Sequence, residues 1–281
     1  MTLGEMRSLI ASEDLRLTKS LGQNFLHDGN QVRRIIALSG VTPGDHVLEV
    51  GPGLGPLTEE LLAQGARVIA VEKDQRLAQL VQKRLGHHPS LTIHHADAMD
   101  WLRDTPELPP GTRLVANLPY SVGSAILVEL ASRADPPRSL TATLQTEVVG
   151  RVRAQAGTEE YGVLTLLLGR VYTVAGAFRI PASCFFPAPK IESSCVHLLR
   201  RDRPLLEGTD AEAFVRLVKL AFSQRRKQLR KTLRGVWPEE FLAGVWRQLD
   251  LREDVRAETL PLERLADLAR LLPALATPTG F

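Results

Sequence analysis

Four short apolar runs, 46–51 (HVLEVG), 67–72 (RVIAVE), 91–96 (LTIHHA) and 113–117 (RLVAN), recur with helical segments between them, such as 56–64 and 75–85. Runs this short and this apolar suit strands buried on both faces. The helix between each pair supplies the crossover that parallel strands need. The pattern predicts an α/β fold with a doubly wound, mostly parallel sheet. Weaker strand candidates follow at 141–146 (TATLQT), 171–175 (VYTVA) and 195–199 (CVHLL). They leave no room for full crossover helices, so an antiparallel edge is expected.

Composition changes after Arg203-Pro204. Phe214, Leu217, Val218, Ala221 and Phe222 stand at helical core spacing, and further helical patterns occupy 240–248 and 262–272. The 281 residues are enough for one large domain and one small one. We divide them at 1–205, with an N-terminal arm over 1–20, and at 206–281, an all-helical domain. The ends, 1–19 and 274–281, are expected to be loosely held.

Two cysteines, Cys184 and Cys195, make neither a disulfide framework nor a four-ligand metal site. His94 and His95 are neighbours on a strand and point to opposite faces, which rules out shared chelation. We therefore expect no metal. The N-terminus carries Glu5 and Arg7 and lacks the apolar core of a secretory signal. No run approaches the roughly eighteen apolar residues of a membrane span. A cytoplasmic protein with no membrane partner is expected.

The first strand runs directly into Gly51-Pro52-Gly53-Leu54-Gly55, with Pro56 at a first helical position. Glycines there let the backbone approach a ligand without a Cβ in the way. Glu72 ends the next strand, 21 residues after Gly51, where a carboxylate can accept from a ribose diol. Nicotinamide dinucleotide enzymes share that plan. Two details favour S-adenosyl-L-methionine. The spacing is Gly-x-Gly-x-Gly, whereas pyrophosphate sites use Gly-x-Gly-x-x-Gly. Acids also flank the loop: Glu49 precedes it, and Glu59-Glu60 open the helix, where they oppose a pyrophosphate and suit a sulfonium and an ammonium. Glu59 and Glu60 facing solvent is the alternative. Asp97, beside Ala98 after the third strand, is placed either to accept from an adenine amine or to cap a helix.

Asn117-Leu118-Pro119-Tyr120 follows the fourth strand, at the carboxyl edge where open α/β sheets bind ligands. An adenine N6 amine is a poor nucleophile because its lone pair is delocalised into the ring. The Asn117 side-chain oxygen and a nearby backbone carbonyl would favour a pyramidal nitrogen with its lone pair aimed at a methyl group. Pro119 stiffens the turn, and Tyr120 offers a face for the base.

These segments resemble the ribosomal RNA adenine dimethyltransferases, in particular the bacterial small-subunit type, over nearly the whole chain. The resemblance is carried by Leu21-Gly22-Gln23-Asn24-Phe25-Leu26, Glu49-Val50-Gly51-Pro52-Gly53-Leu54-Gly55, Asp97-Ala98-Met99 and Asn117-Leu118-Pro119-Tyr120. Tyr161-Gly162, Phe186-Pro187-Ala188-Pro189-Lys190 with Ser193, Ala221-Phe222-Ser223-Gln224-Arg225-Arg226-Lys227 and Arg256-Ala257-Glu258 complete it. It implies a Rossmann-like S-adenosylmethionine-dependent methyltransferase domain. Asn24 and Leu26 would join Glu49, Gly51, Gly53, Glu72, Asp97, Ala98 and Asn117 at the cofactor. Asn117, Leu118 and Tyr120 would form the catalytic turn, with Phe186 opposite Tyr120 across the target adenine. It also implies N6,N6-dimethylation of two adjacent adenosines in the loop of the last helix of 16S rRNA during small-subunit maturation. Two segments depart from the family pattern. Ser121-Val122-Gly123 replaces Asn-Ile-Ser, and Gln145-Thr146-Glu147-Val148 replaces Gln-Lys-Glu-Val.

Between Glu212 and Glu239 no acid occurs, while eight bases do, among them Arg225, Arg226, Lys227 and Arg230. Such a run is either a solvated helix face or a phosphate-binding surface. Because the small charge excess gathers there, we expect Arg225, Arg226, Lys227 and Arg230 to contact RNA. Lys190 is either a further phosphate contact or a surface lysine. A monomer acting on 16S rRNA, in the small subunit or its precursor, is the resulting expectation. The alternatives are a large-subunit methyltransferase of the macrolide-resistance type, an assembly factor with incidental catalysis and, more distantly, a dehydrogenase.

Overall fold

The computed structural model describes residues 1–15 and 24–272. In chain order its elements are α1 (Leu3–Ser12), β1 (Phe25–Leu26), α2 (Gly29–Ser39), β2 (His46–Val50), α3 (Pro56–Ala63), β3 (Arg67–Glu72), α4 (Gln75–Leu85), β4 (Leu91–His95), α5 (Ala98–Asp104), β5 (Arg113–Asn117), α6 (Gly123–Ala131), β6 (Ser139–Gln145), α7 (Thr146–Arg153), α8 (Val163–Gly169), β7 (Tyr172–Ile180), β8 (Phe185–Phe186), β9 (Ser193–Arg200), α9 (Gly208–Ser223), α10 (Leu229–Leu233), α11 (Glu239–Gln248) and α12 (Leu262–Leu271). Contacts divide the chain into two units, Met1–Val149 with Tyr172–Arg200, and Gly150–Val171 with Arg201–Phe281.

The first unit is built on a seven-stranded sheet in the order β4-β3-β2-β5-β6-β9-β7. β4, β3, β2, β5 and β6 are parallel, and β9 runs antiparallel to both β6 and β7. β5 and β6 are buried at every position but the last, and β2 at every position but the first. That burial is why they read as unbroken apolar runs. The antiparallel edge is present, as the short spacing of the last strands predicts. Strand order reverses between β2 and β5, so the ligand crevice of such a sheet falls at the carboxyl ends of these two strands. Gly51 follows one end and Asn117 closes the other.

Local sequence explains the helix starts around that crevice. Asp28, Asp74 and Asp97 each accept backbone N–H groups from the first turn of the helix they precede, α2, α4 and α5 respectively. Pro56 opens α3 directly after Gly55.

One expectation fails at the N-terminus. The segment read as loosely held forms α1, closed by a capping box in which Thr2 and Glu5 bond reciprocally through side chain and backbone. Met6 is fully buried with Phe25, Leu54, Leu77 and Leu80, and Glu13 pairs with Lys83 at 2.7 Å. Residues 16–19 of that segment, Leu21-Gly22-Gln23 of the first motif and the C-terminal 274–281 lie outside the described residues.

The second unit is helical. Phe214, Leu217, Val218 and Ala221 of α9 bury together with Leu229, Trp237, Leu242, Trp246 and Leu265. Gly150–Val171 belongs to this unit because Tyr161 and Leu166 pack into the same core, and the Tyr161 hydroxyl donates to the Leu260 carbonyl at 2.9 Å. Among the described residues no helix is long and apolar enough to cross a membrane.

Candidate active site

The ends of β2, β3 and β5 line one open cleft of about 1210 Å³, its mouth included. Asn24, Leu26, Glu49, Gly51, Gly53, Glu72, Asp97, Ala98, Asn117, Leu118 and Tyr120 all line it. The structure thus gathers into one wall residues that lie almost a hundred positions apart in the chain.

The glycine loop sits in the left-handed region at Gly51, Gly53 and Gly55. At Gly53 the approach is tight: an added Cβ would stand 2.8 Å from the Phe25 ring. At Gly51 it would stand 3.7 Å from the Pro119 ring, so the loop adjoins the Asn117–Tyr120 turn. Glu72 holds the loop from β3. One of its oxygens accepts from Gly53 N–H at 3.1 Å, and the other accepts from Asp74 N–H at 2.9 Å. Burial raises the pKa of this carboxyl.

Glu49 is fully buried at the end of β2, and its carboxyl accepts from the Thr58 hydroxyl at 2.7 Å. Burial, reinforced by the charge of Glu72, pushes its pKa up to about 8. The acidic rim read at Glu59-Glu60 is not in the cleft. Glu59 pairs with Arg84, which also donates to the Leu54 carbonyl and so braces the glycine loop from α4. Among the described residues the acidic and basic lining side chains are instead Glu49, Glu72, Asp97 and Lys73. Three carboxyl groups against one ammonium, with Glu49 keeping its proton until a cation favours its release, fit a cationic ligand better than a pyrophosphate.

Asp97 takes the capping role of its two sequence readings. Its Oδ1 accepts from Met99 and Asp100 N–H as the cap of α5, its Oδ2 pairs with Lys73 at 2.9 Å, and the residue still lines the cleft. These partners hold its carboxyl below the ordinary range, the Lys73 hydrogen bond first among them.

At the end of β5, Asn117 Nδ2 donates to the Asn24 carbonyl at 3.0 Å, while Oδ1 is buried without a hydrogen-bond partner among the described residues. Leu118 is buried and its N–H donates to the Thr143 carbonyl at 3.2 Å. The carbonyl of Pro119 takes the N–H groups of Val122 and Gly123, which closes the turn. Tyr120 is half-buried and its hydroxyl meets Ser193 Oγ at 2.5 Å.

Phe186 stands next to a lining residue of the cleft rather than in the lining itself. It pairs with Phe25 across the β1–β8 ladder, and the Arg7 guanidinium stands 5.2 Å from its ring centroid. It is not among the cleft-lining residues. Lys190 is exposed and is also outside the cleft lining.

In the helical unit the basic residues separate into two kinds. Arg225 pairs with Glu258 at 2.6 Å and donates to the Thr158 and Glu159 carbonyls. Arg230 is buried between Glu239 and Glu253. Arg226, Lys227 and Lys231 are exposed.

Sequence reasoning missed Phe25, Lys73 and Ser193 as parts of this region. Phe25 stands inside a quoted motif, between two residues assigned to the cofactor, and that position was the available signal. Of the segments that depart from the family pattern, Ser121 and Val122 line the cleft, whereas 145–148 do not.

Comparisons with known proteins agree with this architecture. The sequence profile described as "Ribosomal RNA adenine dimethylase" matches residues 15–273. "Ribosomal RNA small subunit methyltransferase A" of Deinococcus radiodurans is 41% identical over 269 residues, which cover 95% of this chain and 89% of that protein. The protein of the same name from Dinoroseobacter shibae is 42% identical over 279 residues, covering 97% and 98%. Among solved structures, a dimethyladenosine transferase from Plasmodium falciparum superposes with a TM-score of 0.75 at 24% identity, covering 87% of this chain and 95% of that one, and supports the fold. The 23S rRNA methyltransferase ErmE superposes with a TM-score of 0.66 at 28% identity, covering 89% and 99%. The chain belongs to the ribosomal RNA adenine dimethylase family.

Proposed function

We propose that this protein transfers methyl groups from S-adenosylmethionine to the N6 amines of two adjacent adenosines in the loop of the 3′-terminal helix of 16S rRNA. The product would be N6,N6-dimethyladenosine, made during small-subunit maturation. The names of the bacterial relatives support the small-subunit substrate.

The observation that carries the chemistry is Asn117 Oδ1. A buried acceptor without a partner costs free energy unless a ligand supplies the donor. Its orientation is set by Nδ2, which must face the Asn24 carbonyl. An acceptor so held would take an N–H of the target amine and draw the nitrogen lone pair out of conjugation. Tyr120 would give the base a face to stack on, worth about 1–3 kcal/mol. Glu49, Glu72 and Asp97, with the backbone at Gly51 and Gly53, are the residues that would hold the cofactor. When bound, S-adenosylmethionine supplies an electrophilic methyl group. The protein's part is then mainly positioning, because a methylated amine sheds its proton without a dedicated base. Exposed Arg226 and Lys227 would contact phosphate, together with Lys190.

The test is incubation of small-subunit particles lacking these methyl groups with protein and S-adenosylmethionine, read by nucleoside mass spectrometry. Dimethyladenosine in the 3′-terminal helix, lost in Asn117→Ala, is expected. Turnover of 23S rRNA alone would instead favour the large-subunit reading that the likeness to ErmE raises.

A further inference from the structure

We propose that Ser193 is a positioning residue for the Tyr120 ring, fixing through its hydroxyl where that ring stands to meet the target base. This rests on the reading of Tyr120 as the base platform. Tyr120 stands on the turn after β5, held at one end by backbone bonds into the Pro119 carbonyl. Its other end is the phenolic oxygen, 2.5 Å from Ser193 Oγ. Burial raises the pKa of the phenol, so it remains a neutral hydroxyl that can donate or accept there.

Ser193 is a rigid partner. It is fully buried at the start of β9, between Gln145 on β6 and Ile180 on β7. Both chain neighbours are tied to one residue: Thr146 N–H donates to the Glu192 carbonyl at 2.9 Å, and Thr146 Oγ1 meets Ser194 Oγ at 2.9 Å. The Ser193 hydroxyl therefore has little freedom to follow a moving ring. The phenolic oxygen lies on the axis about which the ring spins, so a bond there fixes the first torsion and with it the ring's place in the cleft, while the preference of a phenol O–H for the ring plane only biases the second. An adenine that already carries one methyl must be turned with a single remaining N–H donor, so it depends more on a fixed platform than the unmodified base does.

The test compares Ser193→Ala, Tyr120→Phe, the double variant and Tyr120→Ala on unmethylated small-subunit particles, with kcat, KM and the ratio of monomethyl to dimethyl product read together. We expect Ser193→Ala and Tyr120→Phe each to slow the second transfer by about three- to tenfold. Monomethyl product should accumulate, cofactor affinity should stay unchanged, and the double variant should be no worse than either single. Compared at equal total methyl transfer, a loss of folded protein lowers the rate without moving the product ratio, so an unchanged ratio in Ser193→Ala at matched conversion, with Tyr120→Ala impaired, overturns the role of Ser193 and leaves the platform standing. Full activity in Tyr120→Ala overturns the platform and this inference with it.

Discussion

Asn117 donates its Nδ2–H to the carbonyl oxygen of Asn24 across 3.0 Å, and that single bond determines which end of the amide is left for a substrate. Asn117→Ala removes the acceptor. Asn117→Asp keeps two acceptors but sets a carboxylate oxygen against the Asn24 carbonyl, where no proton joins them. Both variants should lower the single-turnover methyl-transfer rate by about a hundredfold, since a displaced orienting group is costly at a reaction that depends on alignment. A rate within about threefold of the native protein for Asn117→Asp would show that the bond to Asn24 does not set the orientation.

Glu49 gives the ligand-free protein a pH-dependent stability. Its folded pKa is about 8, against an ordinary value of 4.5. Between these values the folded state keeps a proton that the unfolded chain releases. The stabilisation is complete below about 4.5 and is lost as pH rises through about 8, at up to roughly 1.4 kcal/mol per pH unit. Urea midpoints measured from pH 5 to 8.5 should fall for the native protein and stay flatter for Glu49→Gln. Cofactor affinity should run the other way, strengthening as the carboxyl ionises beside a cation, and calorimetry in two buffers should detect a released proton. Parallel stability curves for the two proteins would remove Glu49 as the source.

The parts legible in the sequence share a physical origin. Strands buried on both faces must be apolar throughout, and a backbone that turns through positive φ beside an aromatic ring must be glycine. β2, β5 and the Gly51–Gly55 loop therefore announce themselves. What stayed hidden depends on partners distant in the chain. The stretch between Glu212 and Glu239 has no acid, yet folding brings Glu258 to Arg225, and Glu239 and Glu253 to Arg230. Glu59 meets Arg84, which turns a supposed ligand rim into a brace for the loop. Tyr161 and Leu166 join the helical core although the sheet still has two long strands to add after them.

Gly53 should tolerate no side chain. An added Cβ would lie 2.8 Å from Phe25 at a φ of 59°, and the ring cannot retreat easily because Phe25 is buried with Met6 and Leu54. Gly53→Ala is expected to weaken S-adenosylmethionine binding by at least about tenfold through displacement of the loop. Gly111→Ala is the control, with a φ of 73° and nothing within 4 Å of its added Cβ. It should cost about 1 kcal/mol of stability and leave affinity alone. Equal affinities for the two variants would contradict the cradle.

The basic residues of the helical unit should divide by experiment as they divide in the structure. Arg225 satisfies Glu258 and two backbone carbonyls, so Arg225→Gln leaves partly buried acceptors unpaired. The expected result is a loss of about 1–2 kcal/mol of stability. Arg226 and Lys227 are exposed, and replacing both with Gln should leave the melting temperature in place. If they contact phosphate, each removes a counterion-release contribution, and the slope of log affinity for RNA against log salt should become shallower by about 0.7–0.9 per residue. The two substitutions together should therefore flatten it by about 1.4–1.8, with cofactor affinity unmoved. Arg225→Gln should keep the native slope once enough folded protein is recovered, because its charge is already paired inside the unit. The reverse pattern, a slope lost with Arg225 and kept without Arg226 and Lys227, would mean that the internal pair opens to RNA and that the exposed pair is a solvated helix face.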